Sequence, residues 1–283
     1  MSISQALFLG ALQGLTEFLP VSSSGHLVIF QHYLGLRQPL VFFDVLLHLG
    51  TLGAVIVYFR RDLYKIIASF IYFKKKNYSS LEYRNLFYLI IAGTIPTAAV
   101  GIILQKWENI LFSGVFLPSG MLILTGIFLL AGERIGKSRK IVNILKGKGK
   151  EKRKLNLVDA LCIGFMQGVA IIPGISRSGA TISTALMRGV KRDIAFQYSF
   201  LLSIPVIIGA TGLELKQAVA QQNFPPNPFP WIVGTLLAFG VGLISLKIFY
   251  RVFKRKKLFL FSCYCWAVGG GILSWELIKL FRG

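Results

Sequence analysis

The chain has 283 residues, of which 54% are hydrophobic and 15% charged, with a formal net charge of +21. A soluble domain carries nearer a quarter charged residues, whereas apolar runs of about 18–20 residues, enough to cross a bilayer, recur here. The basic residues gather in short blocks between those runs, which suits cytoplasmic loops and anionic headgroups and argues against nucleic acid; Cys162, Cys263 and Cys265 have neither zinc-site nor disulfide spacing.

In chain order, the first apolar region covers 5–36 and is broken by Leu19-Pro20-Val21-Ser22-Ser23-Ser24-Gly25. Each half is too short to cross the hydrocarbon core. With Pro, Gly and hydroxyls at the break, the region reads as a re-entrant helical hairpin, whose tip is tolerated only inside protein or facing water. Gln13 and Glu17 lie in it and no basic stretch precedes it, so it is not read as a cleavable signal. Spans are predicted at 41–59, 86–105 and 117–132, the last extended by Gly114 to Phe116. A basic cytoplasmic loop covers 134–157. The second broken region, 158–188, is interrupted by Pro173-Gly174-Ile175-Ser176-Arg177-Ser178-Gly179, and spans at 194–213, 231–250 and 258–279 complete the chain.

Basic blocks at Arg60 to Arg84 (with Lys74-Lys75-Lys76), Arg134 to Lys154 and Arg251 to Lys257 mark the cytoplasmic side; the connections at 106–116 and 214–230 are poor in them. Both termini then fall outside, and the first hairpin opens there. Arg37 and Arg177 stand against a simple loop count. An internal repeat agrees with this. A shift of 154 residues pairs Gly10 with Gly164, Gln13 with Gln167, Gly14 with Gly168, Ser22 with Ser176, Ser24 with Ser178 and Gly25 with Gly179. Each half, about 1–133 and about 158–283, holds one hairpin and three spans, and an odd number of spans inverts the second half. The predicted fold is therefore one all-α polytopic membrane domain over 1–283, with six transmembrane helices, two re-entrant hairpins and an inverted repeat. In such folds the working site lies near the midplane, between the broken helices.

The breaks carry the chemistry. Gln13 and Glu17 share a helix face, and a carboxylate within a bilayer marks function. Ser22, Ser23, Ser24 and Gly25 open the next half-helix, a ready anion site, although at least one of these serines is expected simply to cap it. His26 follows in the first turn, so nucleophile, base and orienting acid lie within ten residues. The second break adds Gly174, Ser176, Ser178, Thr181 and Arg177, whose guanidinium matches phosphate oxygens and stays charged when buried. Asp44 and His48 either stand behind this site or form an interfacial pair. Glu133, Glu151 and Asp159 are expected to be solvated near the basic loop.

With Gln13-Gly-Leu-Thr-Glu17-Phe-Leu-Pro-Val-Ser-Ser-Ser-Gly-His26 and Pro173-Gly-Ile-Ser-Arg-Ser-Gly-Ala-Thr181, the chain resembles the undecaprenyl-diphosphate phosphatase, or bacitracin-resistance, family. Leu47-His48-Leu-Gly-Thr51-Leu and Gly93-Thr-Ile-Pro96-Thr extend the resemblance over nearly the whole chain. It implies release of inorganic phosphate from undecaprenyl diphosphate in the bacterial inner membrane, which recycles the carrier for peptidoglycan synthesis and confers bacitracin resistance. It also implies essential positions at Glu17, Ser23, His26 and Arg177, and an associated Mg²⁺ or Ca²⁺. Many members carry a second Glu where this chain has Gln13, which leaves open whether the cation meets the protein, with Glu17 as the candidate ligand, or arrives on the diphosphate. The type-2 phosphatidic acid phosphatases share Ser-Gly-His and Ser-Arg, but here no His follows Arg177 in the second hairpin and their upstream Lys/Arg-Pro motif is missing.

The expected mechanism has Ser23 attack the terminal phosphorus, with Glu17 and His26 sharing proton transfer and Arg177 stabilising the equatorial oxygens. Gln13, Ser22, Ser24, Gly25, Gly174, Ser176, Ser178 and Thr181 are the expected substrate contacts. Two alternatives stay open: His26 as nucleophile, and water activated by Glu17 or His26. A transporter of a polyprenyl phosphate lipid would want the same anion pocket. No oligomeric state follows from the sequence.

Overall fold

The computed structural model describes residues 1–36, 40–71, 78–145, 154–220, 227–255 and 257–282. Among them the chain forms twelve helices and no strand. In order these are α1 (Ile3–Thr16), α2 (Ser23–Tyr33), α3 (Val41–Tyr58), α4 (Arg60–Ile71), α5 (Tyr78–Gln105), α6 (Glu108–Leu111), α7 (Phe116–Leu145), α8 (Leu157–Val169), α9 (Arg177–Met187), α10 (Arg192–Ala220), α11 (Phe229–Lys254) and α12 (Leu258–Arg282). Among the described residues five helices are long and apolar enough to cross a bilayer, Leu81–Gln105, Phe116–Ser138, Arg192–Lys216, Phe229–Lys254 and Leu258–Phe281, and the bent pair α3–α4 makes a sixth if it counts as one span. Their outer faces carry exposed Ile95, Ile102, Ile103, Leu236 and Ile244, a belt that water would not tolerate. The chain is a multi-pass helical membrane protein.

The short helices are set by local capping. Ser2 starts α1 with a capping box: its Oγ accepts from Gln5 N at 3.2 Å, and Gln5 Oε1 accepts from Ser2 N at 2.8 Å. Asn156 starts α8 in the same way, exchanging bonds with Asp159 at 2.8 and 3.2 Å. Both helices then lie across a long helix distant in sequence, α1 on α11 and α8 on α5. Glycines allow these crossings: Gly10 meets the Gly234 backbone and Gly164 the Gly93 backbone, with no room for a Cβ at either. Thr97 Oγ1 adds a bond to Gly164 O at 2.7 Å. The Gly164→Val change should therefore destabilise the protein by about 1–3 kcal/mol or more, because backbone cannot give way. Gly240→Ala, where nothing lies within 4 Å, should leave stability unchanged. Thermal unfolding of both variants in detergent checks this; equal midpoints would remove the close-crossing account.

Elsewhere α12 packs on α7, and α3 on α10 and α11. One end of the core is an aromatic cluster of Phe59, Phe196, Phe200, Phe249 and Phe253.

Several boundaries differ from the sequence expectation. The first predicted span, 41–59, is α3, which bends by 71° into α4, inside a stretch read as a basic connection. Helix α7 continues to Leu145 through the start of the predicted loop, α5 begins at Tyr78, and α10 reaches Ala220. Charged residues are good helix formers, so a helix continues beyond its apolar window into the interface, where long basic side chains reach water. Glu133 and Asp159 are not solvated. Glu133 is 4% exposed and holds Lys137 at 3.2 Å and Arg192 at 3.5 Å; Asp159 is fully buried against Arg188. Arg37, Lys74 to Lys76, Glu151 and part of the 214–230 stretch lie outside the described residues.

Candidate active site

The two breaks meet. Pro20 follows the end of α1, and Ser22 caps α2 from a left-handed backbone, φ 64°, the only positive φ outside glycine among the described residues. A side chain is held there at a cost of order 1–3 kcal/mol, a strain typical of functional turns. In return Ser22 Oγ accepts from Gly25 N at 3.3 Å and, across the gap, from Gly174 N at 3.1 Å. Gly174 also has a positive φ, 95°, and Gly25 lies directly on it. Thr125 of α7 braces the second tip, donating to Gly174 O at 2.8 Å and accepting from Ser176 N at 3.1 Å. Ser176 caps α9 through Gly179 N at 3.1 Å, the counterpart of Ser22 on α2.

Glu17 is the hub, 7% exposed. Its Oε1 accepts from Arg177 Nη2 in an ion pair that joins the two breaks. Its Oε2 accepts from Ser23 Oγ at 2.5 Å and from Gln13 Nε2 at 3.1 Å, and His48 Nε2 stands 3.6 Å away. Two polar atoms here are buried and unpaired: Arg177 Nη1 and Gln13 Oε1. The guanidinium thus spends one nitrogen on Glu17 and keeps another for which the described residues supply no acceptor. An anionic acceptor such as a phosphate oxygen meets that need.

Not every expected residue faces this hub. His26 donates from Nδ1 to Ser22 O at 2.7 Å, and its Nε2 meets Tyr264 Oη at 2.9 Å; it makes no hydrogen bond to Ser23 or Glu17 among the described contacts. The joined Ser–His–acid relay expected from their spacing is therefore not formed, and Ser23 pairs with the carboxylate directly. Thr181 turns away, donating to Arg177 O at 2.8 Å and lying 2.5 Å from Ser199 Oγ. Ser24 and Ser178 stay at the tips, 3.4 Å from Ser22 Oγ and 3.3 Å from Ser176 Oγ. Asp44 uses its carboxylate to hold Gln31 at 2.6 Å, whereas His48 borders the hub. Sequence reading missed Thr125 and Tyr264. Each lies among scattered polar residues of a mostly apolar span, with no local pattern to set it apart.

The family described as bacitracin resistance protein BacA matches residues 6–271. The chain belongs to the BacA family. Its relatives include the undecaprenyl-diphosphatases of Desulforapulum autotrophicum, 41% identical over 279 residues and covering 95% of this chain and 96% of that protein, and of Halothermothrix orenii, 42% identical over 269 residues and covering 95% and 96%. That of Korarchaeum cryptofilum is 43% identical over 279 residues, covering 97% and 99%.

The donor set of this BacA-family chain does not fit a protein-held divalent cation. Mg²⁺ and Ca²⁺ take six or more oxygens. Glu17 is the one carboxylate at the hub, both its oxygens hold protein donors, and a guanidinium stands against it. Among the described residues, no three His, Cys, Asp or Glu side chains converge.

Proposed function

We propose that this chain hydrolyses undecaprenyl diphosphate to undecaprenyl phosphate and inorganic phosphate, recycling the lipid carrier for peptidoglycan synthesis and so conferring bacitracin resistance. The observation that carries it is Glu17, held between Arg177 of the opposite break and the Ser23 hydroxyl. Binding alone needs the guanidinium; it does not need a hydroxyl aimed at a buried carboxylate. The relatives' shared name points to the same reaction.

The terminal phosphate sits at the two tips, where Arg177 Nη1 takes an equatorial oxygen and the N-termini of α2 and α9 offer backbone N–H groups and their dipoles. Ser23 Oγ attacks phosphorus as its proton passes to Glu17 Oε2, and the bond from phosphorus to the bridging oxygen breaks. The leaving group is the lipid monophosphate, which needs no proton to depart near neutral pH. Water then attacks the seryl phosphate and gives a proton to His26 Nε2, while the bond from phosphorus to Ser23 Oγ breaks and Oγ takes back the proton held on Glu17 Oε2. Gln13, Ser22, Ser24, Gly25, Gly174, Ser176 and Ser178 shape the cradle. The Mg²⁺ or Ca²⁺ travels with the diphosphate.

The same reading places the chain in a bacterial inner membrane with six spans and two re-entrant hairpins, α1–α2 and α8–α9. Two observations support an inverted repeat: the hairpins cross α11 and α5 reciprocally, and capping boxes start both α1 and α8, at Ser2 and Asn156. The basic blocks favour a site open to the periplasm.

Phosphate release from undecaprenyl diphosphate by the purified protein in detergent, with and without Mg²⁺ or Ca²⁺, tests the reaction. Release of one phosphate per lipid is expected. A folded protein that binds the lipid and releases none would make it a transporter of a polyprenyl phosphate instead.

A further inference from the structure

His26 is 1% exposed, yet its hydrogen bonds lead away from Ser23 and Glu17. A carbonyl oxygen can only accept, so the 2.7 Å contact with Ser22 O places a proton on Nδ1. The ring is buried and no carboxylate touches it among the described contacts, so a cationic ring would lack a counter-charge. The neutral ring then carries its lone pair on Nε2. At 2.9 Å from that nitrogen lies the hydroxyl of Tyr264, near-parallel to the imidazole at 12° and 5.7 Å between ring centres.

Tyr264 belongs to α12, 238 residues away in sequence and outside every motif at the two breaks. Its neighbour Cys265 is buried and its Sγ contacts Pro20 O at 3.7 Å, so this stretch of α12 is seated on the turn of the first break. Tyr264 itself is 43% exposed. A residue kept only to fill the core would be covered; this one presents an edge to the surroundings and its hydroxyl to His26.

We propose that Tyr264 is a positioning residue, whose hydroxyl donates to Nε2 and so holds His26 in the Nδ1–H form with the Nε2 lone pair aimed at the place the hydroxyl occupies. The proposal rests on the role given above to His26, as acceptor of the water proton. Two hydrogen bonds, one to a carbonyl acceptor and one from a hydroxyl donor, clamp a ring better than one. Ser22 O alone defines Nδ1 but leaves the ring free to rotate about its bond to the backbone. The Tyr264 hydroxyl supplies the second point, and it is displaced when the reacting water donates in its place.

The chain has three histidines, His26, His32 and His48, so imidazole nitrogens can be read individually by ¹⁵N NMR of histidine-labelled protein in detergent micelles. His26→Gln assigns the ring. The wild type should show a protonated Nδ1 and an unprotonated, hydrogen-bonded Nε2 for His26. In Tyr264→Phe the Nε2 resonance should move and broaden, kcat should fall roughly tenfold, and KM should stay within about twofold, because only orientation is lost. An unchanged Nε2 resonance with wild-type kcat in a folded Tyr264→Phe would overturn the proposal. Wild-type kcat in His26→Gln would instead remove the role of His26 beneath it, whatever Tyr264 does.

Discussion

Replacing Arg177 by alanine is expected to lower kcat/KM for undecaprenyl diphosphate by about 10³-fold and to destabilise the fold by roughly 3 kcal/mol. The two losses have different origins. Activity falls because Arg177 holds the one buried cationic donor left unpaired at the tips, and its attraction for the equatorial oxygens grows as charge builds on them. Stability falls because Glu17, 7% exposed, loses the charge that compensates it. Glu17→Gln alone should be inactive as well, since an amide cannot take the Ser23 proton, and it leaves a guanidinium without its partner. The double variant separates the effects. With neither charge buried, its unfolding midpoint should recover towards wild type while its activity stays lost. Stability losses that simply add would mean that the two residues are not coupled as their contact implies. Arg177→Lys keeps the charge and loses the fork, so it should retain the fold and remain about 10–100-fold less active than wild type.

Apolar length and broken runs made the membrane helices and both breaks legible. The reason is physical: a bilayer leaves few ways to pair backbone groups, and Pro20 and Gly174 mark where pairing must stop. That Glu17, Ser23 and Arg177 would stand together was legible for a related reason, since ionisable groups and hydroxyl clusters are costly in such a setting unless they find partners. Helix ends were not legible, because the interface rewards continuing a helix with charged residues, as in α4 and α7. Nor was the direction of His26. Ser23 and His26 lie three apart on α2 and are neighbours on its surface. The carbonyl one turn back, Ser22 O, which already accepts from His26 N at 3.2 Å, also takes the ring's Nδ1–H, and a tyrosine from the last helix completes its bonding. Spacing within a motif brings residues close but does not decide which way a side chain turns when a remote helix offers a partner.

Ser23→Ala is expected to reduce phosphate release by at least about 10⁴-fold while leaving the unfolding midpoint close to wild type. Ser23 is the first residue of α2, and the helix is capped by Ser22, so removing the Ser23 hydroxyl uncaps nothing. Glu17 keeps Gln13 and Arg177 as partners after the loss. Ser22→Ala should behave in the opposite sense. It deletes the cap and the bond from Gly174 N that ties the breaks together, at a cost of about 1–2 kcal/mol, and lowers activity through the loosened tips. Rapid acid quench of the wild type during turnover, followed by mass analysis of peptides from the first break, identifies the nucleophile. Phosphate on Ser23 is the expected result. Phosphate retained on His26 under alkaline quench would transfer the attack to the imidazole and leave Ser23 as the donor that orients Glu17. Full loss of activity in Ser23→Ala with no phosphorylated peptide under either quench would favour water as the nucleophile, with Ser23 holding it in line.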